Sequence, residues 1–128
     1  MRKILLSIQH GLLAESLYHL LMQSGEFEAY CASVDKNKHV VSASLACQAD
    51  IVLMEVTQTS ETTVEKRLAE GREIRRVLPE CKIVLLCDEK VSPDIAKEVV
   101  LARKSGQIDA FYYSSVTGKY LVAALYAL

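Results

Sequence analysis

Apolar residues in this chain gather into five short runs: KILLSI (3–8), FEAYCAS (27–33), DIVLMEV (50–56), KIVLLC (82–87) and DAFYYSS (109–115). Each has the length of a β-strand. The first, third and fourth are almost unbroken in Ile, Leu and Val, the pattern of central parallel strands covered on both faces. The second alternates, with Phe27, Ala29 and Cys31 on one side and Glu28 and Tyr30 on the other, which predicts an edge strand.

Between the runs the apolar spacing changes to three and four, so that one face of a helix is apolar. Leu13, Leu17, Leu20 and Leu21 mark a first helix, Val41 and Leu45 a weaker second, and Val64, Leu68, Gly71, Ile74 and Leu78 a longer third. Ile95 and Val99 mark a fourth. Its start is written in the chemistry: Ser92 caps, Pro93 presets the first turn, and Asp94 suits the positive helix end. Thr117 is expected to cap a fifth helix. The polar connection TQTSETTVEKR (57–67) is expected to run as a loop before the third helix is established. Five strands alternating with five helices predict an α/β three-layer sandwich around a parallel sheet with right-handed crossovers.

Composition narrows the class. A chain of 128 residues with 51% hydrophobic and 24% charged residues suits one folded domain. A net charge of −1 gives no electrostatic reason for binding nucleic acid or an anionic membrane. The four cysteines, Cys31, Cys47, Cys81 and Cys87, lack zinc-site spacing and are read as reduced core thiols. The N-terminus breaks its apolar stretch with Gln9 and His10, unlike a signal peptide, and no apolar run approaches the ~20 residues of a membrane span. These features place the protein in the cytoplasm.

In an open parallel sheet, ligands and chemistry gather at the carboxyl ends of the strands. The residues there are Ile8, Gln9 and His10, then Glu55, Cys87 and Asp88, and finally Ser114 and Ser115.

At these positions the chain resembles the receiver domain of bacterial response regulators, the phospho-acceptor module of two-component signalling, over essentially its whole length. KILLSIQHGLLAESL is similar to that family's first strand and helix, and ADIVLMEV to its phospho-acceptor strand. EIRRVLPECKIVLLC is similar to its third helix and fourth strand, and IDAFYYSSVTGKYLVAAL to its fifth strand and helix. The resemblance implies a flavodoxin-like sheet of order 2-1-3-4-5. It also places the family's pair of Mg²⁺-holding acids on Ile8 and Gln9, its phosphorylated aspartate on Glu55, its switch Ser/Thr on Cys87 and its lysine on Ser114. Only Glu55 keeps a charge.

The consequence follows from phosphoryl-transfer chemistry. Transfer to a carboxylate needs a cation to bridge the phosphoryl oxygens and a fixed positive group beside the developing charge. Ile8 offers no ligand, Gln9 a neutral amide oxygen, and Ser114 no charge. Cys87 donates only a weak hydrogen bond, and Asp88 repels an incoming phosphate. A degenerate, or pseudo-, receiver is therefore expected: a non-enzymatic regulatory module, not competent for Mg²⁺-dependent phosphorylation, with no catalytic residue, metal or cofactor. Glu55 is then either a fixed charge that mimics one signalling state or a strand-end acid hydrated at the pocket mouth.

The last segment, TGKYLVAALYAL, carries one charge, Lys119, and no polar stripe. Its outer face is expected to meet a partner. In domains of this family the fourth helix, fifth strand and fifth helix form the dimer and output surface. Tyr112, Tyr113, Tyr120, Ala123, Ala124 and Ala127 are the interface candidates, with a homodimer, a protein partner or an output domain as the occupant. Residues 1–128 are read as one receiver-like domain, the N-terminal part of a longer regulator being the alternative. Arg67, Arg72, Arg75 and Arg76, interspersed with Glu65, Glu70 and Glu73, are read as a solvated, ion-paired helix face that does not bind nucleic acid.

Two other functions remain in view. Ile8, Gln9, Ser114 and Ser115 could line an uncharged pocket for a small ligand. Alternatively, Cys87, His10 and Glu55 could form a thiol enzyme's nucleophile, base and orienting acid.

Overall fold

The computed structural model describes residues 1–32, 40–58, 62–88 and 92–128. The elements alternate as β1 (Arg2–Ser7), α1 (Gly11–Ser24), β2 (Phe27–Cys31), α2 (Val40–Cys47), β3 (Ile51–Val56), α3 (Val64–Val77), β4 (Lys82–Cys87), α4 (Pro93–Lys104), β5 (Ala110–Tyr113) and α5 (Gly118–Tyr126). All four strand pairings are parallel and the sheet order is β2-β1-β3-β4-β5. The expected α/β/α architecture and order 2-1-3-4-5 are therefore present. The FEAYCAS run ends as strand at Cys31, and its Ser33 lies outside the described residues.

Strand alternation divides the core between the two faces of the sheet. Ile4, Leu6, Ile51, Leu53, Val84 and Leu86 pack on one face against Leu17 and Leu21 of α1 and Leu121 and Leu125 of α5. Leu5, Val52, Met54, Ile83, Leu85 and Cys87 pack on the other against α2, α3 and α4, through residues such as Val40, Val64, Ile74 and Val99. Every residue of β3 is buried, which explains its unbroken apolar run. Phe27 and Ala29 of edge strand β2 turn inward, whereas Cys31 is exposed. The expectation of four core thiols thus needs correction: Cys81 and Cys87 are buried, Cys47 is half-buried, and Cys31 lies where the edge strand leaves the sheet.

The helix ends follow the side chains that serve them. Thr63, Ser92 and Thr117 cap α3, α4 and α5 by accepting from the N–H groups of Lys66, Ile95 and Tyr120. Because Thr63 caps, helix α3 starts at Val64, the first residue of its expected apolar stripe, and the last four residues of the polar stretch 57–67 belong to the helix. Gly25, at φ 74°, ends α1 in the left-handed region that glycine adopts without strain. At the other end of the chain, Arg2 donates to the carbonyl oxygens of Leu125 (2.8 Å), Tyr126 (2.6 Å) and Leu128 (2.6 Å), placing a cation at the negative end of α5. The amino ends of the strands are tied by two aspartates. Asp50 accepts from the Lys3 N–H and Asp109 from the Ile83 N–H, both at 2.8 Å.

Candidate functional site at the carboxyl edge of the sheet

Glu55 is the penultimate residue of β3, and its side chain is 8% exposed. Its Oε1 accepts hydrogen bonds from the backbone N–H groups of Gln9 (2.9 Å) and His10 (3.3 Å) at the entrance to α1. The first N–H groups of a helix have no partners within it and favour a negative group. The carboxylate is therefore a clamp between β3 and the β1–α1 turn. This corrects the expectation of an acid hydrated at a pocket mouth.

Arg67 lies on the other side of the same strand ends. The sequence suggested a solvated side chain, but Arg67 is 2% exposed. Its Nε donates to the Glu55 carbonyl oxygen (2.8 Å), one terminal nitrogen to the Ser7 carbonyl oxygen (3.0 Å), and the other to Ser7 Oγ (3.1 Å) and Glu70 Oε1 (3.2 Å). The planar fork suits this arrangement, in which three donor nitrogens serve partners on β1, β3 and α3. Burial pushes the guanidinium below its ordinary range, while Glu70, and more weakly Glu55, favour its charged form. A signal for this was present in the sequence. Arg67 is three residues after Val64 and four before Gly71, on the buried stripe of α3.

The remaining candidates separate. Ile8 is buried in the α1/α5-side core, not turned to a pocket. Gln9 is exposed. His10 caps α1 through Nδ1, which accepts from the Leu13 N–H at 3.1 Å. Cys87 is 1% exposed and packs in the core on the α3/α4 side, whereas Glu55 is in register with Leu86, of the opposite core. Burial pushes the Cys87 thiol up to about 11, so it is overwhelmingly protonated at neutral pH. Cys87, His10 and Glu55 therefore do not form a nucleophile, base and orienting acid. Ser114 and Ser115 are exposed in the turn after β5, where the Ser114 N–H donates to the Cys87 carbonyl oxygen at 2.8 Å. The hollow that opens at this edge, about 450 Å³, is displaced towards α3 and α4, between Thr63, Val64, Ser92 and Ile95.

The donor set does not fit a divalent cation. Mg²⁺ asks for one or two carboxylates with available oxygens. Ile8 supplies none, and the Glu55 oxygen facing the β1–α1 turn already accepts two N–H groups.

The interface candidates divide as well. Tyr112 is half-buried, and its ring meets that of Tyr120 edge-on with centroids 6.3 Å apart. Burial, and then the neighbouring Tyr120, push the Tyr112 hydroxyl up. Tyr113, Tyr120, Ala123 and Ala127 are exposed and Ala124 is half-buried. On α4, Leu101 is exposed too. The outer surface of α5 is thus apolar and open, as its sequence implied. Among the described residues no helix is long and apolar enough to cross a membrane.

No protein-family model matches this sequence, and a search of curated proteins finds no match. Solved structures do match. The chemotaxis protein CheY4 of Vibrio cholerae superposes with a TM-score of 0.74 at 17% identity, covering 98% of this chain and 96% of that one. A response regulator receiver domain protein from Clostridium thermocellum gives 0.75 at 20% identity, over 98% and 91%. An adenylate cyclase from Rhodopirellula baltica gives 0.73 at 17% identity, over 98% and 85%. At such identities the likeness speaks for the fold: across nearly its whole length, this chain has the flavodoxin-like fold of response regulator receiver domains.

Proposed function

We propose that this chain is a pseudo-receiver, a regulatory signalling module that works through protein contacts and does not use Mg²⁺-dependent phosphoryl transfer. The observation that carries the proposal is the state of Glu55. The residue in the phospho-acceptor's place is buried and bonded to the N–H groups of Gln9 and His10. The neighbouring positions Ile8 and Ser114 bring neither a cation ligand nor a positive charge, and the buried cation, Arg67, is spent on backbone carbonyls. Such a site lacks the electrostatic stabilisation that phosphoryl transfer requires.

The output in this proposal is a surface. Tyr113, Leu101 and the Tyr112–Tyr120 pair give the side formed by α4, β5 and α5 an apolar, aromatic character suited to a protein partner or output domain, or to a homodimer. The module is non-enzymatic and cytoplasmic in this proposal, and residues 1–128 form its one receiver-like domain.

Incubation with acetyl phosphate and Mg²⁺, followed by intact-mass measurement, tests it. The expected result is an unchanged mass. A stoichiometric gain of one phosphoryl group, absent in Glu55→Gln, would overturn the proposal.

A further inference from the structure

Helix α5 has two outer flanks. Tyr120, Ala124 and Ala127, spaced by four and three, share the flank beside β5 and Tyr112. Lys119, Val122, Ala123 and Tyr126, spaced by three, one and three, share the other. With Leu20 of α1 they line a groove of about 480 Å³. The two helices approach closely at its end, where a Cβ on Gly118 would fall 2.3 Å from Leu20 Cδ1.

Two charges mark the ends of this groove, and each stands at the helix end that disfavours its sign. Lys119 lies in the first turn of α5, at the positive pole. Glu26 follows Gly25, the cap at the negative pole of α1, and also lines the groove. Among the described residues the ion pairs join His19 to Glu15, Arg67 to Glu70 and Arg75 to Asp109, and neither Lys119 nor Glu26 takes part. Glu26 belongs to the Tyr126 end: the Arg2 guanidinium lies over both the adjacent Phe27 ring (5.5 Å) and the Tyr126 ring (6.0 Å). Lys119 and Tyr126 are seven residues apart, roughly 10 Å along the helix at 1.5 Å per residue.

A two-fold axis crossing α5 near Ala123 reverses this order and brings each charge opposite its complement. We propose that the groove between α1 and α5 seats a second copy of this chain, with Lys119 of each copy against Glu26 of the other. Ala123 is small and exposed at the axis, which lets the two α5 helices approach, and the exposed Tyr126 of each copy covers Leu20 of the other. The charges fix the antiparallel direction, because a parallel arrangement sets like against like. This contact goes beyond the proposed signalling role: it assigns self-association to the α1–α5 groove in place of the α4–β5–α5 side, whose occupant is then a protein partner or an output domain.

Sedimentation equilibrium over a concentration series tests the inference, with circular dichroism to show that each variant is folded. The wild-type chain is expected to dimerise. Lys119→Glu and Glu26→Lys should each weaken the dimer at least tenfold, and an equimolar mixture of the two single variants should recover it, since both cross-pairs are then opposite in sign. A wild-type chain that stays monomeric throughout overturns the inference. So does a dimer that ignores both reversals and dissolves in Leu101→Lys or Tyr113→Lys, which would assign self-association to the α4–β5–α5 side.

Discussion

Arg67 donates from Nε to the carbonyl oxygen of Glu55 at 2.8 Å, while the side chain of the same glutamate accepts from Gln9 and His10. One residue of β3 is therefore held from both sides of the sheet, by α3 through its backbone and by the start of α1 through its carboxylate. Arg67 extends the grip to β1 through Ser7. The carboxyl ends of β1 and β3 and the starts of α1 and α3 are thereby joined around one residue.

Removing the guanidinium strands Glu70 and leaves the Ser7 and Glu55 carbonyls without their buried donor. Arg67→Met is expected to lose about 3 to 5 kcal/mol of stability, the usual cost of breaking a buried charge arrangement from one side. Arg67→Lys keeps the charge but not the three-nitrogen fork, and should recover only part of the loss. Urea denaturation of the three proteins measures both steps.

Glu55 is expected to obey hydrogen-bond geometry more than charge. Glu55→Gln retains an acceptor oxygen for the Gln9 and His10 N–H groups, and should cost about 1 kcal/mol. Glu55→Ala removes the acceptor, and should cost about 2 to 3 kcal/mol. Equal losses in chemical denaturation would assign the stabilisation to the charge.

The thiols should react in the order of their burial. Cys31 is expected to alkylate first and Cys47 next, with Cys81 and Cys87 labelled only on unfolding. Burial raises the Cys87 and Cys81 thiols from about 9 to about 11 and about 12, so the folded state holds their protons longer than the unfolded state does. Their contribution to stability is present below pH 9 and is lost as pH rises from there through 11 and 12. Denaturation midpoints should therefore fall across that window, and fall less in Cys87→Ala measured against its own value at pH 8.

Two helical glycines should respond oppositely to alanine. A Cβ at Gly71 would lie 3.4 Å from Ile83 Cγ2, an ordinary contact, so Gly71→Ala is expected to gain up to about 1 kcal/mol from helix propensity. At Gly118 the Cβ would fall 2.3 Å from Leu20 Cδ1, and displacing that side chain should cost about 1 to 2 kcal/mol. Thermal melts of the two variants give the comparison directly.

The helix caps Ser92 and Thr117, the edge position of β2 and the doubly covered β3 and β4 were legible in the sequence, because capping and periodicity involve residues close together in the chain. The same periodicity contained a hint that charge concealed: Arg67 stands on the buried stripe of α3. The sequence leaves the alternative of Cys87 beside His10 and Glu55 open, because all three stand at one edge of the sheet. The strand register puts Glu55 beside Leu86, and Cys87 one residue further on, facing the opposite core.

The sequence by itself determined the alternation of elements and the apolar outer face of α5. Only the tertiary structure decided that Glu55 is a clamp, that Arg67 is buried beneath the strand ends, and that the α5 surface divides into two flanks. The physical reason is range. Periodicity and capping are settled within a few residues, whereas Arg67 meets Ser7 across 60 positions and Glu55 meets Gln9 across 46, partners that only the packing of helices on the sheet brings together.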